Sequence, residues 1–436
     1  MFEIGRGVAR GLRVGIIGGS IAGCAMAIEL SRAGCDVTVL ERSGEELKER
    51  GAGIGMPPSV YEMLVGRDLI DAGTPGIRIR TAVRLCRTQE HERFGYVAWE
   101  QPANLVALNW GNLYRNLRLR VPEGAYRTRQ QVVALDRPDA ETVVVGLAGG
   151  RRLEFDLVVC ADGYRSFGRQ TLFPQSSVEY AGYVLWRGLL PEREIADAAP
   201  LEGVIVTPGY RGGHGIFIFV AGPDGSVEPG RRLVNWAIYL QVPQAEYAAF
   251  FTDAAGAFRD GTLAPNAIPI GTELSLKRLA REMLPDYYAE ITNLSTGTFV
   301  HAVFDCLVPA YADGRICLTG DAAATARPHA ASGALKAITN AVALGEALRR
   351  HDALDAALAE WDDEQTAAGN ASVQLARQLG RAFVTESEDW SRWDGATMKQ
   401  WFDSVITGRH EIFATEPRQA AAEPVSLAPQ EGDQAA

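Results

Sequence analysis

The sequence lacks an excess of basic charge. Lysine and arginine together number 43 against 54 aspartate and glutamate residues, a net charge of −11 in 436 residues. Because a nucleic-acid backbone or an anionic lipid surface is bound by basic surfaces, neither is an expected partner. With 47% apolar and 22% charged residues, the composition is that of a globular chain rather than a disordered one, and the length allows two or three domains.

A long uninterrupted apolar run is also missing. The most apolar stretch, 14–30, contains four glycines and is too short to span a bilayer. The N-terminus shows no basic segment followed by an apolar core and a cleavage site, so nothing in it directs secretion. We therefore expect a cytoplasmic enzyme with no membrane partner.

The cysteines lack any paired spacing. There are six of them, and they are scattered: Cys24, Cys35, Cys86, Cys160, Cys306 and Cys317. Most lie in apolar runs, so we expect buried free thiols rather than disulfides or metal ligands, and no metal site. The missing CxxC or CxxxxC pair also argues against a disulfide oxidoreductase.

Hydrophobic patterns divide the chain into segments with different predicted secondary structure. The segment 13–42 reads as strand, Gly-rich turn, helix and strand. Aromatic-rich strands between about 180 and 239 are separated by the turns PGYRGGHG and GPDGSVEPG, and they predict a second, sheet-based domain inserted in the first. After Asp321 the pattern becomes helical, with Asp352 as the expected N-cap of one helix.

A glycine-rich turn follows the first strand. It reads Gly18-Gly19-Ser20-Ile21-Ala22-Gly23 and opens a helix, and Glu41 ends the next strand. In the dinucleotide fingerprint the glycines permit a tight turn, the helix N-terminus faces a pyrophosphate, and the acid accepts hydrogen bonds from a ribose. Ser20 stands where that fingerprint has its second glycine. A Gly-rich turn in an α/β domain that binds no nucleotide is the alternative at this point.

The first turn occurs in both NAD-binding and FAD-binding proteins, and two later motifs indicate which of the two cofactors is bound. Cys160-Ala161-Asp162-Gly163 ends one strand, and Leu318-Thr319-Gly320-Asp321 ends another and leads into 326–333. With the first turn, they resemble the three signatures of the class A flavin-dependent aromatic hydroxylases, the para-hydroxybenzoate hydroxylase family. The resemblance extends to about residue 385, and YAGYVLWRG (180–188) with 320–337 look most like the dihydroxypyridine hydroxylases of that family.

The resemblance implies FAD as cofactor, held by residues of these motifs and of the segment after the last one. These are Gly18, Ser20, Gly23, Glu41, Arg42, Asp162, Gly163, Gly320, Asp321, Pro328, Gly333 and Ala334. Asp321 would hydrogen-bond the ribityl chain, and Asp162 with Gly163 would lie near the pyrophosphate. Pro328 would line the flavin face where oxygen reacts. The helix beginning near Gly333 would direct backbone N–H groups at the flavin pyrimidine.

Two positions depart from the family pattern. Ala324 stands where the family commonly has histidine, and Trp110 stands where an arginine often contacts the FAD phosphates. That contact is either lost or made by another residue, Arg42 or Arg50.

The implied fold class is α/β, a Rossmann-like FAD-binding domain with an inserted mixed β-sheet substrate domain and C-terminal helices. We predict a discontinuous FAD-binding domain (12–75, 105–176 and 292–350) and a substrate-binding domain (76–104 and 177–291). C-terminal helices (351–413) and a disordered tail (414–436) would follow.

The implied activity is that of a single-component flavoprotein hydroxylase. NAD(P)H would reduce FAD, O2 would form a C4a-hydroperoxide on it, and one oxygen atom would enter a hydroxylated aromatic or heteroaromatic ring, of which a hydroxypyridine is the favoured example. A larger biosynthetic phenol or polyketide is the alternative substrate, and a flavoprotein reductase without oxygen transfer is the alternative enzyme. No second Gly-rich strand–turn–helix occurs, so NADH or NADPH would bind transiently. A homodimer is compatible with the sequence.

Three residues are candidates for contact with the substrate. His329, beside Pro328, would take or share the proton of a ring hydroxyl, which would activate the ring carbon, and a structural cap is the alternative. His214 is the second candidate, and Arg187 would meet a substrate anion or the flavin. Strand aromatics would form either the pocket wall or plain core: Trp186, Phe217, Phe219 and Trp236.

Overall fold

The computed structural model describes residues 7–44, 53–331 and 333–406. The predicted disordered tail (414–436) and Arg50 lie outside the described residues. Strands in the described part of the chain are β1 (Arg13–Ile17), β2 (Asp36–Leu40), β3 (Gly53–Met56), β4 (Gly76–Cys86), β5 (Tyr96–Asn109), β6 (Tyr126–Arg127), β7 (Val132–Asp136), β8 (Val143–Leu147), β9 (Arg152–Phe155), β10 (Leu157–Cys160), β11 (Glu179–Pro191), β12 (Val204–Tyr210), β13 (Gly213–Val220), β14 (Leu233–Gln241), β15 (Thr262–Leu263), β16 (Phe299–Asp305), β17 (Ala312–Asp313) and β18 (Ile316–Leu318). Helices are α1 (Ile21–Ala33), α2 (Pro58–Gly66), α3 (Trp110–Arg120), α4 (Phe167–Leu172), α5 (Tyr247–Phe250), α6 (Ile270–Met283), α7 (Asp286–Leu294), α8 (Gly333–Arg350), α9 (Leu354–Gly380) and α10 (Gly395–Val405).

A six-stranded sheet carries the three glycine-rich motifs. Its order is β17-β18-β10-β1-β2-β6, and all neighbours are parallel except β17 with β18. Four of the five residues of β1 are buried, as expected for a strand covered on both faces. Strands β1, β10 and β18 are adjacent, so their carboxyl ends bring the three motifs to one edge. The α/β fold with a Rossmann-type domain is confirmed.

A nine-stranded mixed sheet forms the second layer, in the order β15-β16-β11-β14-β13-β12-β4-β5-β3. This sheet curls. The Gly53 N–H at its β3 edge donates a hydrogen bond to Asn235 Oδ1 at 3.0 Å, although Asn235 lies on β14, five positions away in the strand order. The curl turns one face into the wall of a cavity. The other face packs against α6 and α7 in a core of buried apolar side chains.

The strand aromatics belong to that core. Trp186 and Trp236 pack edge to face at 4.8 Å, and both are fully buried with Phe217 and Phe219. Their neighbours in sequence, such as Ile216 and Ile218, face the cavity instead. The core alternative is therefore confirmed, and the pocket-wall alternative is wrong, because side chains alternate between the two faces of a strand.

The C-terminal helices join the two layers. Helix α8 packs on α1 and α9, whereas α10 packs on β5 of the larger sheet. Helix α9 has Ala353 as its N-cap without a side-chain hydrogen bond, so the expected Asp352 cap is wrong. The helix begins at Leu354, one residue later than an Asp352 cap would place it, and the Leu354 side chain is buried.

The predicted turns and thiols agree with the structure. PGYRGGHG connects β12 to β13 in an antiparallel hairpin. All six cysteines are free and buried, as predicted. By its hydrogen bonds to β11, β16 lies in the larger sheet, although the predicted boundary at 292 assigns it to the FAD-binding domain. Among the described helices, none has the length and apolar character that a membrane crossing requires.

Candidate active site

One continuous cavity of about 1760 Å³ lies between the two sheets. At one end its wall contains Ser20, Gly163 and Asp321 from the three motifs, and at the other it contains the open face of the larger sheet. A site for one drug-sized ligand usually has roughly 300–1,000 Å³, so this cavity has room for a large cofactor together with a small substrate.

The first glycine turn has the geometry that the fingerprint predicts. Gly18 has φ 97°, a left-handed conformation that favours glycine, and a Cβ on Gly23 would lie only 1.9 Å from the Gly18 carbonyl oxygen. Ser20 caps α1 without a side-chain capping hydrogen bond and lies on the cavity wall. The turn therefore presents the first N–H groups of α1 to the cavity, the arrangement that binds a pyrophosphate.

Glu41 stabilises this turn. Its two carboxylate oxygens accept the backbone N–H groups of Gly19 at 2.8 Å and Ser43 at 2.7 Å. Each oxygen retains a lone pair that a ribose hydroxyl could use. Arg42 is exposed, and neither it nor Glu41 belongs to the cavity wall, so their contacts to FAD stay predictions.

The second motif contains a buried oxygen without a partner. Asp162 Oδ2 accepts the N–H groups of Phe167 and Gly168 at the start of α4, whereas Oδ1 is buried and makes no hydrogen bond. Burial raises the pKa of this carboxyl group. Gly163, with φ 79°, follows on the cavity wall. An unpartnered carboxylate oxygen beside the wall suits a hydroxyl donor such as a sugar or ribityl chain.

The third motif places Asp321 on the cavity wall. Its side chain is 48% exposed, and Oδ1 accepts a hydrogen bond from Lys336 Nζ at 3.1 Å. Lys336 is buried on α8 and also donates to the Ala324 carbonyl. The backbone N–H of Gly320 donates to Asn340 Oδ1 at 3.0 Å, which fixes the preceding turn. Lys336 is not among the residues predicted from the sequence. It lies in the segment 320–337 that carries the family resemblance, and this position is the one sequence signal that could have found it.

Arg169 connects the second and third motifs and was also missed. It is 1% exposed, donates to the carbonyls of Asp321 and Ala322 at 3.3 and 3.1 Å, and donates to the Tyr164 carbonyl. A buried guanidinium with several backbone acceptors fixes the relative position of the two turns.

The segment after the third motif completes this end of the cavity. Pro328, Gly333 and Ala334 lie on the wall, and α8 begins at Gly333. The first N–H groups of a helix have no acceptor within it, and the positive end of the helix dipole favours negative charge. Together with the unpartnered Asp162 oxygen and the half-exposed Asp321, these residues fit an FAD molecule.

The sheet face opposite is lined by every second residue of β11, β14, β13, β12 and β4, and by most of the middle of β5. The residues are Leu185 and Arg187 of β11, Asn235, Ala237 and Tyr239 of β14, His214, Ile216 and Ile218 of β13, Ile205 and Thr207 of β12, Ala82 and Arg84 of β4, and Gln101, Pro102, Ala103, Asn104, Leu105 and Ala107 of β5. Most of this wall is apolar, with a few polar groups that can orient a ligand.

The two candidate histidines meet on this face. Their ring centroids are 5.4 Å apart, and both stack on Tyr239 at 4.4 Å. His329 Nε2 lies 2.9 Å from the Tyr183 hydroxyl, which also receives a hydrogen bond from Arg327. If the Tyr183 O–H donates to His329 Nε2, the proton of the neutral imidazole belongs on Nδ1.

His214 has the opposite arrangement. Its imidazole donates to the backbone carbonyl of Phe383, and its Nδ1 is buried without a partner. The proton is therefore on Nε2 and Nδ1 is a free acceptor. Burial, reinforced by Arg84, lowers the pKa of His214 to about 3. Burial, with His214 and Arg327, lowers the pKa of His329 well below its usual value. Both imidazoles are neutral near neutral pH.

Arg187 lies on the same wall, and its Nε is buried without a partner. Burial lowers the pKa of this guanidinium. The structure thus places all three predicted substrate-contacting residues on one face of the cavity.

Comparison with known proteins agrees with this architecture. A family described as "FAD binding domain-like" matches 180–305, and one described as "Pyridine nucleotide-disulphide oxidoreductase" matches 13–55, which contains the glycine turn. The chain is 29% identical to 2,6-dihydroxypyridine 3-monooxygenase of Paenarthrobacter nicotinovorans, over 84% of this chain and 90% of that protein. It is 26% identical to 3-amino-4-hydroxybenzoate 2-monooxygenase of Streptomyces cremeus, over 77% and 78%.

Solved structures show the same fold. The structure of 2,6-dihydroxypyridine-3-hydroxylase from Arthrobacter nicotinovorans superposes with a TM-score of 0.79 at 25% identity, over 87% of this chain and 94% of that chain. FAD is therefore the cofactor and NAD(P)H the reductant. The chain is an FAD-dependent aromatic monooxygenase, similar over most of its length to the class A flavin hydroxylases.

Proposed function

We propose that this monooxygenase hydroxylates a small ring that already carries a hydroxyl group, a hydroxypyridine or a related phenol, bound against the open face of the larger sheet. The observation that carries this proposal is the single cavity joining the three FAD motifs to a mostly apolar wall with two histidines and an arginine. The similarity to a protein named 2,6-dihydroxypyridine 3-monooxygenase supports the ring class.

We assign the cofactor end of the cavity to residues of the three motifs. Asp321, held by Lys336, would accept a ribityl hydroxyl, and Asp162 Oδ1 would accept another hydroxyl. The N-terminal N–H groups of α1 and α8 would face the pyrophosphate and the flavin pyrimidine. When bound, FAD supplies the redox chemistry, taking a hydride from NAD(P)H and activating O2 for transfer to the ring.

The two histidines divide the hydrogen bonding of the substrate. His214 Nδ1 is a free acceptor and would accept a hydrogen bond from a ring hydroxyl, which raises the electron density of the ring. His329, with its proton on Nδ1, would donate to a ring oxygen or nitrogen and is oriented by Tyr183. This reverses the order expected from the sequence, where His329 is the first candidate for the proton acceptor.

Arg187 and the apolar wall complete the proposed site. The guanidinium would stabilise negative charge on the ionised ring or on the flavin, because it has no carboxylate partner among the described residues. Leu185, Ala237, Ile216 and Ile218 exclude water from the space between them.

The test combines a ligand screen with isotope labelling. Hydroxylated pyridines and phenols would be screened for stimulation of NAD(P)H oxidation, and each active compound would be incubated under ¹⁸O2. One labelled oxygen atom in the product is the expected result. A flavoprotein reductase would oxidise NAD(P)H without labelling any product. Stimulation only by large polyketides would refute the small-ring assignment.

A further inference from the structure

Trp110 is the one tryptophan on the cavity wall within the described part of the chain. It is the first residue of α3, which packs against α1, and its side chain is half-buried. Ser20 and Ile21 at the start of α1 lie on the same wall. Two packed helices thus begin at the wall of the cofactor end, and the indole lies at the start of the second.

Contacts between aromatic side chains fix Trp110 relative to the glycine turn. Its indole stacks on Tyr114, one helical turn later, with the ring centroids 5.4 Å apart and the ring planes inclined by 14°. Tyr114 is 2% exposed, and its hydroxyl is hydrogen-bonded to the hydroxyl of Tyr126. The Tyr126 hydroxyl donates to the Gly19 carbonyl at 3.0 Å. The indole is therefore connected, contact by contact, to the turn that presents N–H groups to a pyrophosphate, and the stacking limits its movement.

The cofactor end of the wall has no unpaired cation among the described residues. The cations on the wall are Arg84, Arg187 and Arg327. The first two belong to the opposite sheet face, and the third pairs with Asp305 at 2.6 Å. Lys336 does not belong to the wall and is bonded to Asp321. A negatively charged pyrophosphate at this end would therefore depend on neutral N–H donors, of the kind that helix N-termini supply.

The indole of Trp110 adds a neutral donor to those of the backbone. Tryptophan Nε1–H donates and does not accept, and no described residue accepts a hydrogen bond from that of Trp110. In the core, Trp236 and Trp361 donate to oxygen atoms of the protein at 2.7 and 3.0 Å. Trp186 and Trp390 also lack an acceptor, but neither lies on the wall. The position on the wall, where a ligand can reach the N–H group, therefore distinguishes Trp110.

We propose that Trp110 donates its indole N–H to a phosphate oxygen of FAD, in place of an arginine at this position. This contact rests on the proposed function, because it uses the cofactor end assigned there, and it adds a binding residue to that end. A hydrogen bond to a charged oxygen is stronger than one between neutral groups, so its loss is measurable as a loss of FAD. Neither Arg42 nor Arg50 is then needed for a phosphate contact.

The experiment measures how tightly the holoenzyme retains FAD, by equilibrium dialysis with the released flavin quantified by its fluorescence. Trp110→Phe keeps a ring on Tyr114 and removes the N–H donor, whereas Trp110→Arg replaces the donor with a cation. The matched control is Trp393→Phe, which changes a half-buried tryptophan outside the wall. Arg42→Gln and Arg50→Gln test the alternative phosphate contacts. Each protein would be measured at about 0.05 M and about 0.5 M salt, because salt weakens contacts between charges. Circular dichroism would verify that each variant is folded.

Trp110→Phe should raise the dissociation constant of FAD roughly 10- to 100-fold, the range of a hydrogen bond to a charged group. Trp393→Phe, Arg42→Gln and Arg50→Gln should keep the wild-type value. Trp110→Arg should retain FAD at the lower salt concentration, and it alone should release FAD as salt is added, since a guanidinium binds a phosphate through its charge.

Wild-type retention of FAD by Trp110→Phe would overturn the proposal. Equal losses in Trp110→Phe and Trp110→Arg would also overturn it, because an indole needed only for packing is not replaced by an arginine. The wild type gives a test that needs no variant: an FAD affinity that falls steeply with salt would show a cation at the phosphate instead. If the Trp110 contact is confirmed but no product acquires ¹⁸O, this contact stands and the proposed function is wrong.

Discussion

Acidification should destabilise this protein through its two cavity histidines. Burial lowers the pKa of His214 to about 3 and that of His329 well below its usual value, whereas both titrate normally once the chain unfolds. Their contribution to stability is therefore complete above the unfolded pKa of about 6.5 and is lost as the pH falls below it, because the unfolded state then binds protons that the folded state does not.

The magnitude follows from the unfolded pKa alone, since the folded values lie well below the range tested. Between about pH 7.5 and about pH 5.5, one such histidine removes roughly 1.4 kcal/mol from the free energy of unfolding, and two remove roughly 2.7 kcal/mol. Asp162 acts in the opposite direction, because burial raises the pKa of its carboxyl group in the folded state. The comparison of wild type with a histidine variant isolates the histidine contribution from such effects.

The assay is urea-induced unfolding of the FAD-loaded protein at these two pH values. On acidification, the free energy of unfolding of His214→Gln should fall by roughly 1.4 kcal/mol less than that of the wild type. The matched control is His91→Gln, which removes an exposed imidazole and should show the wild-type loss. A His214→Gln variant with the full wild-type loss would refute the conclusion that this imidazole is buried in its neutral form.

Three further predictions concern the cofactor and the substrate. Asp321→Ala should release most of the FAD, because an acceptor on the cavity wall is lost; full flavin absorbance after gel filtration would contradict that role. Gly23→Ala should also abolish FAD retention, since the new Cβ would lie 1.9 Å from a backbone oxygen, whereas Gly66→Ala, whose Cβ meets nothing within 4 Å, should keep it. His214→Ala should lower the rate of hydroxylation by roughly 10²-fold and raise the peroxide yield per NAD(P)H, with FAD still bound. His329→Ala should have a smaller effect on the rate, so equal losses would refute the division of roles.

The cofactor end of the cavity was predictable because its signals are local. A glycine at φ 97°, a glycine without room for a Cβ and an acid at the end of the next strand all lie within residues 18–41. The order of strands in the sheet then brings the other two motifs to the same edge. The side chains that hold these motifs together could not be predicted in the same way. Arg169 and Lys336 act on backbone or carboxylate atoms that only the folded chain brings near them.

The substrate end depends on long-range contacts throughout. Period-two alternation could have assigned Ile216 and Ile218 to the cavity and Phe217 to the core, but not which face is the core, because both faces of this part of the sheet are apolar. The curl that brings Gly53 to Asn235, and so closes the wall, has no signal in either segment.

The roles proposed for the two histidines depend on contacts that sequence motifs do not encode. Both are neutral and both stack on Tyr239, so composition and position distinguish them poorly. What separates them is the partner of one ring nitrogen: a tyrosine hydroxyl for His329 and the Phe383 carbonyl, nearly 170 residues away in sequence, for His214. A donor at one nitrogen leaves a proton on the other, and an acceptor leaves a lone pair. In the proposed function, the histidine that accepts a hydrogen bond from the substrate is thus decided by two contacts to other parts of the chain, whereas the proposed FAD contacts lie in the glycine turns themselves. In a family with one cofactor and many substrates, the local motifs can therefore persist while the contacts that set the substrate change.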